Sequence, residues 1–136
     1  MVVEKRLKDF YREEILVKRM DIAYVDLPKY EDDRDNHIQT GKRPCVIVSN
    51  DDCNGSSPVI TVIPITARDK VFIPTHLYLN DAAARLCGLN RASVVLGEGL
   101  TSVSKKRILG KIGTIKNRTI LEGIERVMLI QLGMMR

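Results

Sequence analysis

Two nearly continuous β-branched runs flank a short polar segment, and few folds accommodate that pattern. The first run reads Cys45-Val46-Ile47-Val48-Ser49-Asn50 and follows Gly41-Lys42-Arg43-Pro44. The second reads Pro58-Val59-Ile60-Thr61-Val62-Ile63-Pro64-Ile65-Thr66. Between them, Asp51 to Ser57 is rich in Asp, Asn, Gly and Ser, which predicts a β-hairpin with a longer loop. Runs that are apolar at almost every position belong to strands buried on both faces. A hairpin folds back on itself, so the start of its first strand lies beside the end of its second. Arg43 and Thr66 are therefore expected as neighbours, at the rim where the apolar runs stop. A fixed guanidinium beside a hydroxyl at the edge of a rigid sheet suits a phosphate.

The chain has 136 residues, enough for one domain with a real core. Hydrophobic residues make up 44% and charged residues 29%, which places it with globular rather than disordered chains. A net charge of +5 suits an anionic partner. With no Trp, two Phe and four Tyr, the chain lacks the means for an aromatic stacking platform. The three cysteines, Cys45, Cys53 and Cys87, form no C-x-x-C and do not cluster with His37 or His76, so neither a zinc site nor any other cofactor is expected. No apolar stretch approaches the ~18 residues of a membrane span, and no signal peptide is visible, which points to a reduced cytoplasm.

Val3 to Val17 carries apolar residues at helical spacing and reads as an amphipathic helix packed on the domain. Asp21 to Leu27 is the first strand, and the polar stretch from Lys29 to Thr40 is long enough to act as a lid or binding loop. After the hairpin, Ala67 to Phe72 is a basic loop containing Arg68 and Lys70. Thr75 to Leu79 is a short strand. Asn80 or Asp81 caps a short helix that Gly88 ends. Ala92 to Leu96 is a strand, Gly97-Glu98-Gly99 a bend, and Leu100 to Val103 its resumption. Lys105, Lys106 and Arg107 read as a solvated turn before a strand within Ile108 to Ile115. The surest helix begins at Asn117, with Ile120, Leu121, Ile124, Val127, Met128 and Leu132 on one face. Either Asn117 or a Thr119/Glu122 capping box starts it, and Gly133 fits its end. Short strands followed by a terminal helix suggest a small, strongly bent barrel, mainly β with helices (α+β).

Three motifs occur in one order: Gly-x-Arg-Pro before a Val/Ile strand ending in Ser-Asn, an Ile-Pro-Ile-Thr strand end, and Ser-Val-Val-Leu-x-Glu followed by Lys-Lys-Arg-Ile-Leu-Gly-Lys-Ile-Gly. Together they resemble the MazF/PemK family of type II toxin endoribonucleases, over roughly Arg19 to Gly133. The resemblance implies an SH3-like barrel with a C-terminal helix, residues 1–18 being a helical extension and 19–136 the toxin domain. It also implies a homodimer that cuts single-stranded RNA without a metal and is restrained by a MazE-like antitoxin. The family's catalytic Arg and Thr fall on Arg43 and Thr66, the two residues the hairpin places together. Gln39, Lys42, Arg68, Lys70 and Glu98 are the expected substrate contacts. His76 matches some members, and a lone strand histidine is read here as structural.

The chain departs from the family pattern at several positions. Ile38 stands where many members have Glu. Gly99 replaces a Gln that reads bases, and Thr101 replaces an Arg. Met20 takes the place of Gly in the usual Arg-Gly-Asp. Two other functions compete with the ribonuclease: a non-enzymatic toxin binding a protein target, as CcdB does, and an inactive RNA-binding relative.

Overall fold

The computed structural model describes residues 15–29, 37–67 and 72–136. The central hairpin forms as expected. β1 (Asp21–Leu27) pairs antiparallel with β2 (Gly41–Ile47), and β2 pairs antiparallel with β3 (Val59–Thr66). The remaining strands are β4 (His76–Leu79), β5 (Ser93–Leu96), β6 (Thr101–Ser104) and β7 (Ile108–Thr114). The spatial order is β4-β5-β3-β2-β1-β7, with β6 lying on β3. Among the described residues this is a bent antiparallel sheet of seven strands with three α helices, the mainly-β fold expected.

The edge of β3 away from β2 is shared between two partners. Val59 to Val62 pairs with β6, and Ile65 and Thr66 pair with β5. Pro64 stands at the changeover, where a residue with no N–H to donate disturbs the ladder least. The same proline faces Cys45 across the hairpin.

Alternate residues of the central strands enter different cores, which is why their runs are continuously apolar. Ile22, Val46, Ile63 and Ile65 join a core closed by α2 (Asp81–Leu86), through Ala84, and by α3 (Arg118–Gln131), through Ile120 and Ile124. Ala23, Val25, Cys45, Ile47, Ile60 and Val62 form a second core on the other face with Val103 and Ile108. Each buried Val or Ile contributes about 1.5–3 kcal/mol relative to exposure, so both faces matter to stability.

Helix starts follow side-chain caps. Asn80 Oδ1 accepts from the Ala83 N–H at 2.8 Å and starts α2. Asn117, rather than a Thr119/Glu122 box, starts α3, accepting from Ile120 N–H at 3.1 Å. Gly88 and Gly133 follow their helices with φ of 88° and 73°, the left-handed conformation that glycine adopts freely. On α3, Ile120, Ile124 and Val127 are buried, while Leu132 at its end is exposed.

Three expectations are corrected. Asp51–Ser56 is a helical turn, α1, and not a hairpin loop. Asn50 Oδ1 accepts from Cys53 N–H, and Asp51 and Asp52 sit in the first turn, where the helix dipole favours negative charge. Lys105 is buried rather than solvated, in a 3-10 turn capped by Ser104. Of the helix expected over Val3 to Val17, the residues before Ile15 lie outside those described. Residues 15–17 are not helical, and Val17 is instead buried in the second core.

Candidate active site

The hairpin register decides the first feature of the site. Cys45 faces Pro64 and Val46 faces Ile63. Continuing that register by two residues sets Arg43 opposite Thr66. Both line one cleft of about 270 Å³, together with Tyr24, Lys42, Asn90, Arg91 and Ser93. Arg43 is half-buried, and its Nε donates to the Thr40 carbonyl at 2.9 Å. That bond orients the guanidinium and leaves the N–H donors of its two terminal amino groups for a ligand. Thr66 is buried at the end of β3, beside β5, where it pairs with Val94.

Asn90 and Arg91 are not expected here from the sequence. They precede β5 and reach the cleft because β5 pairs with the last two residues of β3. Nothing local in the sequence marks them. With them the cleft is lined, among the described residues, by three cationic side chains, Lys42, Arg43 and Arg91, and by no carboxylate. A concave, cationic, hydroxyl-bearing surface has the donors that charge-assisted hydrogen bonds to a phosphate require. Arg68 and Lys70, the other expected cations, lie outside the described residues.

Gln39 and Glu98 belong to a different cleft, of about 290 Å³, which also takes in Ile38, Ile73, His76, Leu96, Leu100 and Thr101. Glu98 does more than serve the backbone of its bend. Thr75 Oγ1 donates to its Oε2 at 2.7 Å, and His76 Nε2 lies 2.6 Å from its Oε1. Burial pushes the Glu98 carboxyl upward, but hydrogen bonds from Thr75, its own backbone N–H and His76 outweigh burial and hold it below the usual glutamate range. His76 thus contacts Glu98 and lies in this cleft rather than beside Arg43.

Asp21 is buried and fully engaged. It accepts from the Lys18 backbone N–H and from Thr114 Oγ1, each at 2.8 Å, and Lys111 Nζ lies 3.4 Å away. It ties β1 to β7 and stands apart from both clefts. The two buried cysteines carry no chemistry: burial pushes the Cys45 thiol up to about 12 and raises that of Cys87.

A profile described as "PemK-like, MazF-like toxin of type II toxin-antitoxin system" matches residues 18–130. The chain belongs to this family. Solved structures agree on the fold. A MazF from Deinococcus radiodurans superposes with a TM-score of 0.70 at 21% identity, covering 88% of this chain and 99% of that one. An endoribonuclease from a mycobacterial species gives 0.65 at 16% identity, covering 89% and 95%. A mycobacterial endoribonuclease in complex with its cognate antitoxin gives 0.65 at 18%, covering 86% and 95%.

Three of the departures from the PemK/MazF pattern can be placed in the structure. A Cβ on Gly99 would lie 2.8 Å from Pro64 Cγ, so the proline of Ile-Pro-Ile-Thr excludes a side chain there. Ile38 is exposed at the mouth of the Glu98 cleft. Met20 adopts a left-handed backbone, with φ at 72°, which glycine takes freely, and buries its side chain in the first core.

Proposed function

We propose that this toxin is a metal-independent endoribonuclease that cuts single-stranded RNA with Arg43 and Thr66. The observation that carries the reading is that these two side chains line one cationic cleft. In such cleavage the RNA 2′-oxygen bonds to the adjacent phosphorus while the bond to the 5′-oxygen breaks. The proton lost from the 2′-hydroxyl is made up on the departing 5′-oxygen. Extra negative charge develops on the phosphoryl oxygens, and Arg43 donates to them with its terminal amino groups. Thr66 donates to the phosphate or the leaving oxygen. Lys42 and Arg91 attract and seat the backbone. DNA lacks the nucleophile and is not cut.

Purified protein incubated with single-stranded RNA in EDTA should give products ending in 2′,3′-cyclic phosphate or 3′-phosphate, with 5′-hydroxyl partners. Arg43→Ala should lower the rate at least ~10²-fold, as removal of single oxyanion donors does. Cleavage that survives Arg43→Ala, or that stops in EDTA, sinks the reading.

The partners follow from the same reading. The protein acts as a homodimer in the cytoplasm and is restrained by a MazE-like antitoxin. Among the described residues no helix is long and apolar enough to cross a membrane. An antitoxin that occupies the cationic cleft should be acidic and partly apolar, and its binding should weaken only in part with salt. Light scattering should give twice the monomer mass, and the product of an adjacent gene should abolish RNA cleavage. A monomer at micromolar concentration, or no inhibitory neighbour, counts against these assignments.

A further inference from the structure

The cleft around Glu98 has chemistry that phosphate binding does not use. Its carboxylate is fixed from two sides, by Thr75 on Oε2 and by His76 on Oε1. The His76 side chain is 8% exposed, and that of Glu98 is 41% exposed. The histidine is therefore packed behind the carboxylate, and the carboxylate faces the cleft. An ionised carboxylate offers about four lone-pair sites, so the bonds from Thr75, His76 and its own backbone N–H leave acceptor capacity. Ile38, Ile73, Leu96 and Leu100 give the cleft its apolar wall, and His37, Gln39 and Thr101 add polar groups. No side chain grows from position 99, because Pro64 occupies the space a Cβ would need. At about 290 Å³ the cleft lies at the low end of small-ligand sites.

The two clefts share no lining residue, but neighbouring segments of the chain build both. Gln39 lines one, and the carbonyl of the next residue, Thr40, holds Arg43 in the other. β5 spans both, with Ser93 in the first and Leu96 in the second, about 10 Å along a strand. A nucleic-acid strand with a phosphate on Arg43 would thus present a nearby base to Glu98.

We infer that the Glu98 cleft is a nucleobase subsite that selects guanine, whose N1–H and N2–H donate side by side to the two carboxylate oxygens. This rests on the ribonuclease reading and adds a base preference to it. Guanine presents two adjacent donors, and a carboxylate meets them with paired, charge-assisted bonds. Adenine and cytosine offer one amino group beside an unprotonated ring nitrogen, which repels the second oxygen. Uracil offers a single N–H between two carbonyls, so one oxygen is met and the other is repelled. The apolar walls cover the faces of an unstacked base, as single-stranded RNA recognition requires.

The test uses short oligouridines in which one guanine is placed at each position in turn. One set carries 2′-O-methyl groups, so that binding is read without cleavage, and a second set is cleavable. Wild-type protein should prefer guanine over uracil by roughly tenfold or more at a single position. Glu98→Gln puts a donor where an acceptor stood and should bring that ratio to about one, with its fold checked by circular dichroism. Thr75→Val, which frees the carboxylate to swing, should lower the ratio partway and is the second arm if Glu98→Gln does not fold. No guanine preference in the wild type, or one unchanged in the folded variants, overturns the subsite. Selective binding without cleavage overturns the ribonuclease reading alone, cleavage without base preference overturns the subsite alone, and no binding to any oligonucleotide overturns both.

Discussion

Met20 shows how one residue carries two opposed demands. Its φ of 72° costs a non-glycine residue about 1–2 kcal/mol. Its side chain is 5% exposed in the first core, and its backbone donates to the Ile47 carbonyl and accepts from Ile115 N–H. Burial outweighs the backbone cost, since truncating a buried Met typically loses about 2–5 kcal/mol. Met20→Ala should lose the packing and keep the strain, whereas Met20→Gly loses the packing and relieves it. Chemical denaturation should therefore find Met20→Gly the less destabilised of the two by about 1 kcal/mol, reversing the usual order of alanine over glycine. The opposite order would show that the backbone relaxes when the side chain goes.

At the scale of elements, close approaches between backbones set which positions tolerate a side chain. Gly113 in β7 passes the turn after α2, and a Cβ there would lie 2.4 Å from the Cys87 carbonyl oxygen. Gly110, on the same strand, has nothing within 4 Å of its Cβ position. Gly113→Ala should cost about 1–3 kcal/mol or more, because a backbone atom rather than a flexible side-chain end must move. Gly110→Ala should be neutral or stabilising by up to about 1 kcal/mol, through the unfolded chain. Equal effects at the two positions would mean that the turn and β7 separate freely. The contact matters to the site because that turn leads through Leu89 to Asn90 and Arg91, which line the Arg43–Thr66 cleft.

For the whole molecule, one antiparallel sheet divides two cores, so each buried thiol reports on a different one. Cys45 lies in the second core and Cys87 in the first, while Cys53 is half-buried in α1. In native protein an alkylating reagent should modify Cys53 alone, because burial both hides the other two and raises their thiols. Cys45 and Cys87 should become reactive together once the chain unfolds, if the two cores melt cooperatively. Mass spectrometry along a denaturant series reads this directly, and modification of Cys87 well before Cys45 would show that the core under α2 and α3 opens separately.

Much of this molecule is legible in its amino-acid sequence. The β2–β3 hairpin, its double-sided burial, and the meeting of Arg43 with Thr66 follow from strand patterning and from the geometry of a hairpin, which are local. Composition misleads at the Asp51–Ser56 link, because Asp, Asn, Gly and Ser favour turns and helix starts alike, and the Asn50 cap settles the matter. The rest depends on pairings distant in sequence. His76 meets Glu98 because β4 lies on β5, with His76 opposite Leu96. Asn90 and Arg91 enter the Arg43–Thr66 cleft because β5 takes over the end of β3 from β6. Gly99 is bare because the strand bend brings Pro64 against it. Local patterning specifies which segments become strands. Which strands share an edge is decided only when both faces of the sheet find their cores, and that assigns the second cleft its carboxylate.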